Sequence, residues 1–210
     1  MEAARVISHE TEDGKIYNVI FEDGNKEVFS DEEFFEHGLY DVDAPLPVSF
    51  SELMTKVYEK RAYMRAVSFL RGTLKPEKIV SEKLKDEGFS PDIIYCVMER
   101  LREELYVDDR RFCKKHVQKR LDAGNSKLYI KAELREKGIE EHLVEECLRE
   151  ADADDQVQAE KLVLKKLKVG SSPEKIKRYL SGKGFSVSTI LAVFDSIELS
   201  TENDVENSEY

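Results

Sequence analysis

The feature that most constrains the fold of this chain is a glycine that recurs three times between apolar positions at constant offsets. The three glycines are Gly88, Gly138 and Gly184, which lie 50 and 46 residues apart. In each copy an apolar residue stands four before the glycine, one after it, and 6, 9, 10 and 13 after it. The 18 positions are Leu84, Phe89, Ile94, Val97, Met98 and Leu101, then Leu134, Ile139, Val144, Cys147, Leu148 and Ala151, then Leu180, Phe185, Ile190, Val193, Phe194 and Ile197.

These offsets predict a helix, a left-handed stop and a second helix. A glycine after a helix end permits a Schellman motif, in which the next residue packs on the residue four before the glycine. The later offsets form the stripe of a helix that is buried on one face. Upstream, a further helix is predicted to end at Leu70, Leu121 or Leu167, each followed by a glycine-bearing turn. The third helix of each unit is expected at 91–103, 141–151 and 187–198.

A different pattern precedes the first unit. Segments rich in β-branched and aromatic residues, ARVISH, KIYNVIF and KEVFS, are separated by turns at Gly14 and Gly24. A capping box at Ser30 and Glu33 then predicts a short helix that ends at Gly38, and a second box at Ser49 and Glu52 opens a long helix. The two prolines within 41–47 favour a linker.

The predicted fold class is therefore mainly α: three tandem three-helix repeats in an elongated, curved array, with a small N-terminal βββα extension. The predicted domains are the extension and linker (1–47), the three repeats (48–107, 108–153 and 154–199) and an acidic, disordered tail (200–210).

Charge is distributed unevenly along the chain. The net charge is −11, yet residues 1–50 hold 3 basic and 13 acidic residues and residues 198–210 hold 5 acidic residues and no basic one. Residues 51–197 are therefore mildly basic, and a local field of this kind can steer an anionic partner. The N-terminus resembles no signal peptide, and no segment reaches the ~20 apolar residues of a membrane span. The protein is expected to be cytoplasmic.

The stretch KLKDEGFSPDIIYCVMERLREELYVDDRRFCKKHVQKRL resembles the RecX family of bacterial RecA regulators. Its junction Tyr106–Phe112, YVDDRRF, matches the family pattern Y-(L/V)-D-D-x-x-F, and LDAGNSKLYIKAELREKGI and LKVGSSPEKIKRYLSGKGF resemble the second and third family repeats. The resemblance implies a non-enzymatic protein that acts in recombination, DNA repair and the SOS response. It implies binding to RecA, or to the RecA filament on single-stranded DNA, and restraint of filament growth, ATP hydrolysis and strand exchange.

Basic residues on the predicted second and third repeats are the candidate surface for RecA or DNA. A basic stripe can follow a phosphate backbone or the acidic surface of a protein filament, and the alternative for each residue is a solvated helix face. The candidates are Arg110, Arg111, Lys114, Lys115, Lys119, Arg120, Lys161, Lys165, Lys166, Lys168, Lys175, Lys177 and Arg178. Tyr129 and Tyr179 are candidates for base stacking, with part-buried packing as the alternative.

Other residue types give no sign of catalysis. Asp108-Asp109 and Asp154-Asp155 each precede a predicted helix, which favours helix capping over metal binding. Cys96, Cys113 and Cys147 lack zinc-ligand spacing and are expected to be reduced core residues. We expect no enzyme activity, no cofactor, no metal, no membrane association, weak direct DNA binding and a monomer.

Two other classes of function remain open from the sequence. Three-helix units can resemble helix-turn-helix domains, so a DNA-binding regulator is one alternative. It predicts a recognition helix rich in Arg, Asn and Gln, whereas the three expected third helices are acidic or apolar. A generic helical adaptor is the other alternative.

Overall fold

A computed structural model describes the backbone of residues 3–206 and the side chains of residues 3–197. This part of the chain forms three strands followed by ten helices. The strands are β1 (Val6–Thr11), β2 (Ile16–Phe21) and β3 (Lys26–Ser30). The helices are α1 (Asp31–Glu36), α2 (Phe50–Leu70), α3 (Glu77–Asp86), α4 (Pro91–Glu103), α5 (Asp109–Asp122), α6 (Lys127–Glu136), α7 (Glu141–Glu150), α8 (Asp155–Lys168), α9 (Pro173–Gly182) and α10 (Val187–Glu206).

The N-terminal sheet is antiparallel with the order β1-β2-β3, as the turn signals predict. One face of the sheet carries Val19, Phe21 and Phe29, all at most 1% exposed. This face packs against Phe34 of α1 and against the first turns of α2, including Leu53. The core of the predicted extension therefore continues past residue 47, because the apolar residues at the start of α2 complete it.

The predicted linker over 41–47 contains no helix, but it lies against β1. The Leu46 amide donates a hydrogen bond to the Ala4 carbonyl (2.7 Å), and the Leu46 side chain is buried. Both predicted capping boxes form, at Ser30 with Glu33 and at Ser49 with Glu52. These boxes satisfy backbone amides that have no partner inside the helix.

Each predicted repeat consists of three helices in which the first packs against the third: α2 on α4, α5 on α7, and α8 on α10. Of the 18 apolar positions, 15 are buried, and Phe89, Ala151 and Ile197 are half-buried. The repeated stripes are therefore the inner faces of the helices, which confirms the predicted mainly helical fold with a small sheet.

The three predicted Schellman motifs form with their expected hydrogen bonds. The amide after each glycine donates to the carbonyl four residues before that glycine: Phe89 to Leu84 (3.2 Å), Ile139 to Leu134 (3.0 Å) and Phe185 to Leu180 (3.2 Å). The accepting leucines are at most 1% exposed. Each glycine thus turns the chain while its flanking apolar pair closes the core.

The chain divides into two compact units and passes from one to the other three times, once within α3. One unit contains the chain up to Arg71 together with Lys83–Glu104, and the other contains Gly72–Glu82 and the chain from Leu105 onward. The last helix is longer than expected, because α10 continues to Glu206 whereas the sequence predicts a disordered tail from residue 200. A helix that is already nucleated extends at little cost. Residues 207–210 of that predicted tail lie outside the described residues.

The cysteine prediction is correct at two of three positions. Cys113 and Cys147 are buried in the core of the second repeat, where burial raises the pKa of the Cys113 thiol. Cys96 is exposed, so its expected place in the core is wrong. It falls between Ile94 and Val97 on α4 and therefore points away from the buried stripe.

Candidate functional site

The predicted basic surface lies on helices α5, α8 and α9 of the second compact unit. These helices bury the apolar residues at helical spacing, among them Val117 on α5, Val163 on α8 and Ile176 on α9. The basic residues occupy the remaining faces. They separate into three groups according to what their side chains contact.

The first group is held by carboxylates within the second repeat. Arg110 donates to both oxygens of Glu146 (2.7 and 2.9 Å) and to Glu150 (2.7 Å), and the Lys114 ammonium lies 2.8 Å from Glu150. These contacts join α5 to α7. The hydrogen bond to Glu146 raises the pKa of Arg110, and the one from Lys114 lowers the pKa of Glu150. Arg110 and Lys114 therefore each form an ion pair between α5 and α7.

Arg120 belongs to the same group, although it joins α5 to α6. Its Nε donates to Glu133 Oε2 at 2.6 Å, and its second bond goes to Glu133 Oε1. His116 Nε2 lies 2.8 Å from Glu133 Oε2. Burial of Glu133 favours its protonation, but the hydrogen bonds from Arg120 and His116 outweigh it and hold the pKa of Glu133 below its usual value.

The second group packs on aromatic rings of the third repeat. The Lys166 ammonium lies 4.6 Å from the centre of the Tyr179 ring, and that of Lys177 lies 4.9 Å from the centre of the Phe194 ring. Cation–π contacts of this kind keep the two ammonium groups packed on the protein's own rings. Tyr179 is half-buried beside Lys166 and Lys183, which indicates packing rather than a platform for bases.

The other predicted stacking residue, Tyr129, is also used in packing. It is 37% exposed, and its Cβ lies so close to Gly184 that the Cβ of an alanine at that position would approach it to 2.7 Å. The Arg120 guanidinium lies 5.9 Å from the centre of the Tyr129 ring. Tyr179 therefore matches the part-buried alternative, whereas Tyr129 is exposed and its role in base stacking stays a prediction.

The third group consists of eight exposed cations, which we call the free cations. In the part of the chain whose side chains are described, they make no side-chain hydrogen bond, ion pair or ring contact. They are Arg111, Lys115 and Lys119 on α5, Lys161, Lys165 and Lys168 on α8, and Lys175 and Arg178 on α9. Spacings of three and four residues place the members on each helix along one face.

Two pairs of the free cations occupy the same register in consecutive repeats. Lys115 and Lys119 lie 23 and 19 residues before Gly138, and Lys161 and Lys165 lie the same distances before Gly184. Lys115 and Lys119 also line a groove of about 250 Å³ with His116 and the turn at Gly72–Leu74. The same outward charge is thus presented twice, each time on the first helix of a repeat.

The paired aspartates cap helices, and they also join successive repeats. Asp108 accepts a hydrogen bond from the Arg111 amide, and Asp154 accepts from the amides of Gln156 and Val157, as predicted for N-caps. The second aspartate of each pair reaches back to the preceding repeat. Asp109 accepts from the Glu77 amide (2.9 Å) at the start of α3, and Asp155 accepts from the Lys127 amide (2.8 Å) at the start of α6.

Sequence reasoning misses this second role because it depends on a contact between repeats. The repetition of the Asp-Asp pair 46 residues apart is the available signal. Among the described residues, no group of three or more His, Cys, Asp or Glu side chains is arranged to hold a metal ion. No helix among them is both long and apolar enough to cross a membrane.

These features define a repeat protein whose helices expose unpaired basic residues at a recurring register. The family model described as "RecX, second three-helix domain" matches residues 108–148, which run from the N-cap of α5 into α7. Regulatory protein RecX of Clostridium tetani is 31% identical over 150 residues, which cover 69% of this chain and 67% of that protein. The chain belongs to the RecX family.

Other relatives match over a smaller share of their length. Regulatory protein RecX of Bacillus subtilis is 31% identical over 155 residues, which cover 70% of this chain and 59% of that protein. For the Geobacillus kaustophilus protein of the same name the match covers 37% of its length, so the chain spans about half of these relatives. A structure titled "Crystal structure of regulatory protein RecX" shares the fold, with a TM-score of 0.59 at 19% identity, over 91% of this chain and 99% of that one.

Proposed function

We propose that this protein is a non-enzymatic modulator of the RecA recombinase. It binds the filament that RecA forms on single-stranded DNA and restrains filament growth, ATP hydrolysis and strand exchange. Membership of a family whose curated relatives are named regulatory proteins supports a regulatory role. RecA is proposed as the partner because the sequence motifs resemble those of the RecX family of RecA regulators. The free cations supply a surface that could bind this partner.

The observation that carries the proposal is the recurrence of unpaired lysines at one register in two successive repeats. A filament presents the same acidic groups at regular intervals, on its protein surface and along its DNA backbone. A protein that presents the same basic pair more than once can contact more than one of these sites. Lysines that pair with no internal carboxylate keep their charge available for such contacts.

The paired cations have a different role in this proposal. Arg110, Lys114 and Arg120 shape the second repeat through Glu133, Glu146 and Glu150. Withdrawing them from these carboxylates to contact a partner would leave the carboxylates without counter-charges. We therefore assign partner binding to the free cations, and we assign these three residues to the stability of the repeat.

The test is ATP hydrolysis by RecA on single-stranded DNA, measured with this protein at amounts below one per RecA. We expect inhibition by the wild type. The variant K115A/K119A/K161A/K165A should need about 100-fold more protein for the same inhibition, because four charge contacts of about 0.5–1 kcal/mol each are lost. The matched control K15A/K26A/K85A/K137A changes net charge equally and should shift inhibition by less than about threefold.

Two results would contradict the proposal. Equal loss of inhibition in both quadruple variants would show that net charge, and not the free lysines, determines binding. Absence of inhibition by the wild type, together with tight sequence-specific binding to duplex DNA, would favour a DNA-binding regulator instead.

A further inference from the structure

Helix α1 and the turn that follows it carry exposed aromatic rings that the basic surface does not explain. Phe35 is 58% exposed and Tyr40 is 56% exposed, and their ring centres lie 6.1 Å apart. The half-buried Tyr17 extends the group, with its ring centre 6.1 Å from that of Phe35. We call Tyr17, Phe35 and Tyr40 the aromatic patch. Contiguous exposed apolar surface of this kind marks interaction sites.

The aromatic patch is built on a rigid base. Tyr17 stacks on Phe34 with ring centres 3.9 Å apart and planes 7° from parallel, and Phe34 is 2% exposed. Helix α1 is fixed by its capping box and by Arg61, which donates to both oxygens of Glu33 (2.7 and 2.6 Å). A surface held in place in this way loses little conformational entropy when a partner binds.

Two carboxylates neighbour the exposed rings of the aromatic patch. Asp41 follows Tyr40 directly, and Asp31 stands four residues before Phe35 on α1, a spacing that places the two side chains on one face of the helix. In the described part of the chain neither carboxylate makes an ion pair, and the Asp31 carboxylate accepts one hydrogen bond, from the Glu32 amide (2.8 Å).

Other carboxylates in this region already have partners. The Lys60 ammonium lies 2.8 Å from Glu32 Oε1 and 2.6 Å from Glu36 Oε2. These two glutamates precede and follow Phe35 in the sequence. Residues 1–50 hold 13 acidic side chains and only three basic ones, Arg5, Lys15 and Lys26, and Lys60 and Arg61 of α2 offset only part of the difference. The patch is therefore aromatic and set in a negative field.

We propose that the aromatic patch binds an arginine-bearing segment of a partner protein. A guanidinium stacks on an aromatic face and at the same time forms two parallel hydrogen bonds with a carboxylate, and this patch offers both groups side by side. Nucleic acid is repelled by the same carboxylates. The proposal does not depend on the basic surface of the second and third repeats, and it gives the protein a second, oppositely charged docking surface.

The experiment uses the full-length protein and a fluorescein-labelled ten-residue peptide of alternating Arg and Leu, with fluorescence anisotropy at about 150 mM salt. The variant F35A/Y40A leaves the charge unchanged and should weaken binding at least about tenfold. D31K/D41K keeps the rings, reverses the local charge and should weaken binding by a similar factor. Tyr95→Ala is the control, because Tyr95 is 65% exposed on α4, away from the patch in sequence, and binding should not change.

A peptide in which Lys replaces Arg should bind several-fold more weakly, because the ammonium lacks the planar fork of the guanidinium. Thermal unfolding of each variant verifies that it is folded. The proposal is overturned if F35A/Y40A binds the Arg–Leu peptide as well as the wild type does, since binding would then be electrostatic or lie elsewhere. It is equally overturned if the wild type shows no binding at peptide concentrations up to about 1 mM, an affinity of about −4 kcal/mol.

Discussion

The second and third repeats share their inner positions and differ in how their outer positions are used. Cys113 and Cys147 of the second repeat occupy the places of Ala159 and Val193 in the third, and all four are buried. At the outer positions, by contrast, Arg120 binds Glu133 in the second repeat, whereas in the third the equivalent Lys166 lies on the ring of Tyr179. Lys166 lies 46 residues after Arg120, and Tyr179 lies 46 residues after Glu133.

The same helix–helix contact can therefore be made with different chemistry while the fold stays the same. Burial requires an apolar side chain of suitable size at each inner position, so the pattern repeats. An outer position requires only a partner on the neighbouring helix, and that partner can be a carboxylate or a ring. Register alone therefore predicts which residues are buried, but it does not predict which cations are free.

The largest effect is expected where Gly184 of the third repeat packs against the second repeat. Gly184 has a φ of +86°, and a Cβ placed there would lie 2.7 Å from Tyr129 Cβ and 2.8 Å from Ser126 Oγ. Gly184→Ala should therefore lower the free energy of unfolding by about 3 kcal/mol, through backbone strain and overpacking together. Urea unfolding followed by circular dichroism measures this change.

The equivalent glycine of the first repeat supplies the control for that variant. Gly88 has a φ of +89° but no atom within 4 Å of a placed Cβ. Gly88→Ala should cost only about 1 kcal/mol, from backbone strain alone. Equal losses in the two variants would show that the close approach at Gly184 contributes nothing.

The sequence predicts inner positions well and outer contacts poorly, for the same reason. The glycine anchors, the stripes and the capping boxes are local or periodic, so residues such as Leu134 and Ser49 could be assigned correctly. The reach of Asp155 to the Lys127 amide, and the pairing of Arg110 with Glu146, depend on which helices become neighbours. The exposure of Phe35 depends on how α1 lies against the sheet, and its apolar ring by itself favours burial.

Smaller effects are expected for the two equivalent outer contacts, and only the first should depend on pH. Glu133→Gln should cost about 2 kcal/mol at pH 7, because a part-buried, charge-assisted pair with Arg120 is lost. The pKa of Glu133 is lowered in the folded protein, so its contribution is complete above the unfolded value of 4.5 and is lost as the pH falls through the folded value. The difference between wild type and variant should therefore narrow below about pH 4.5.

Lys166→Ala tests the matching contact of the third repeat. It should cost about 0.5–1 kcal/mol, because a cation–π contact near the surface is weaker than the Arg120 pair. The contact contains no carboxylate, so the cost should be the same at pH 7 and pH 3. Urea unfolding of both variants at the two pH values makes the comparison, and a cost for Lys166→Ala that shrinks in acid would contradict it.

A loss similar to that of Lys166→Ala is expected where the second and third repeats use an outer position in the same way. Asp109 and Asp155 each accept one backbone amide from the preceding repeat, at 2.9 and 2.8 Å. Asp109→Ala and Asp155→Ala should each cost about 1 kcal/mol, as for the loss of a helix cap. Asp92→Ala on α4 removes a first-turn carboxylate that makes no such contact, and it should cost about 0.3–0.5 kcal/mol from the helix dipole.

Hydrogen exchange identifies the source of this small loss. In Asp155→Ala the Lys127 amide loses its acceptor, so its exchange should accelerate several-fold more than that of other amides in α6. A uniform change across α6 would mean that the aspartate acts through overall stability and not through the contact between repeats. The same measurement on the Glu77 amide in Asp109→Ala should give a matching result, because the two junctions are built from the same pair of groups.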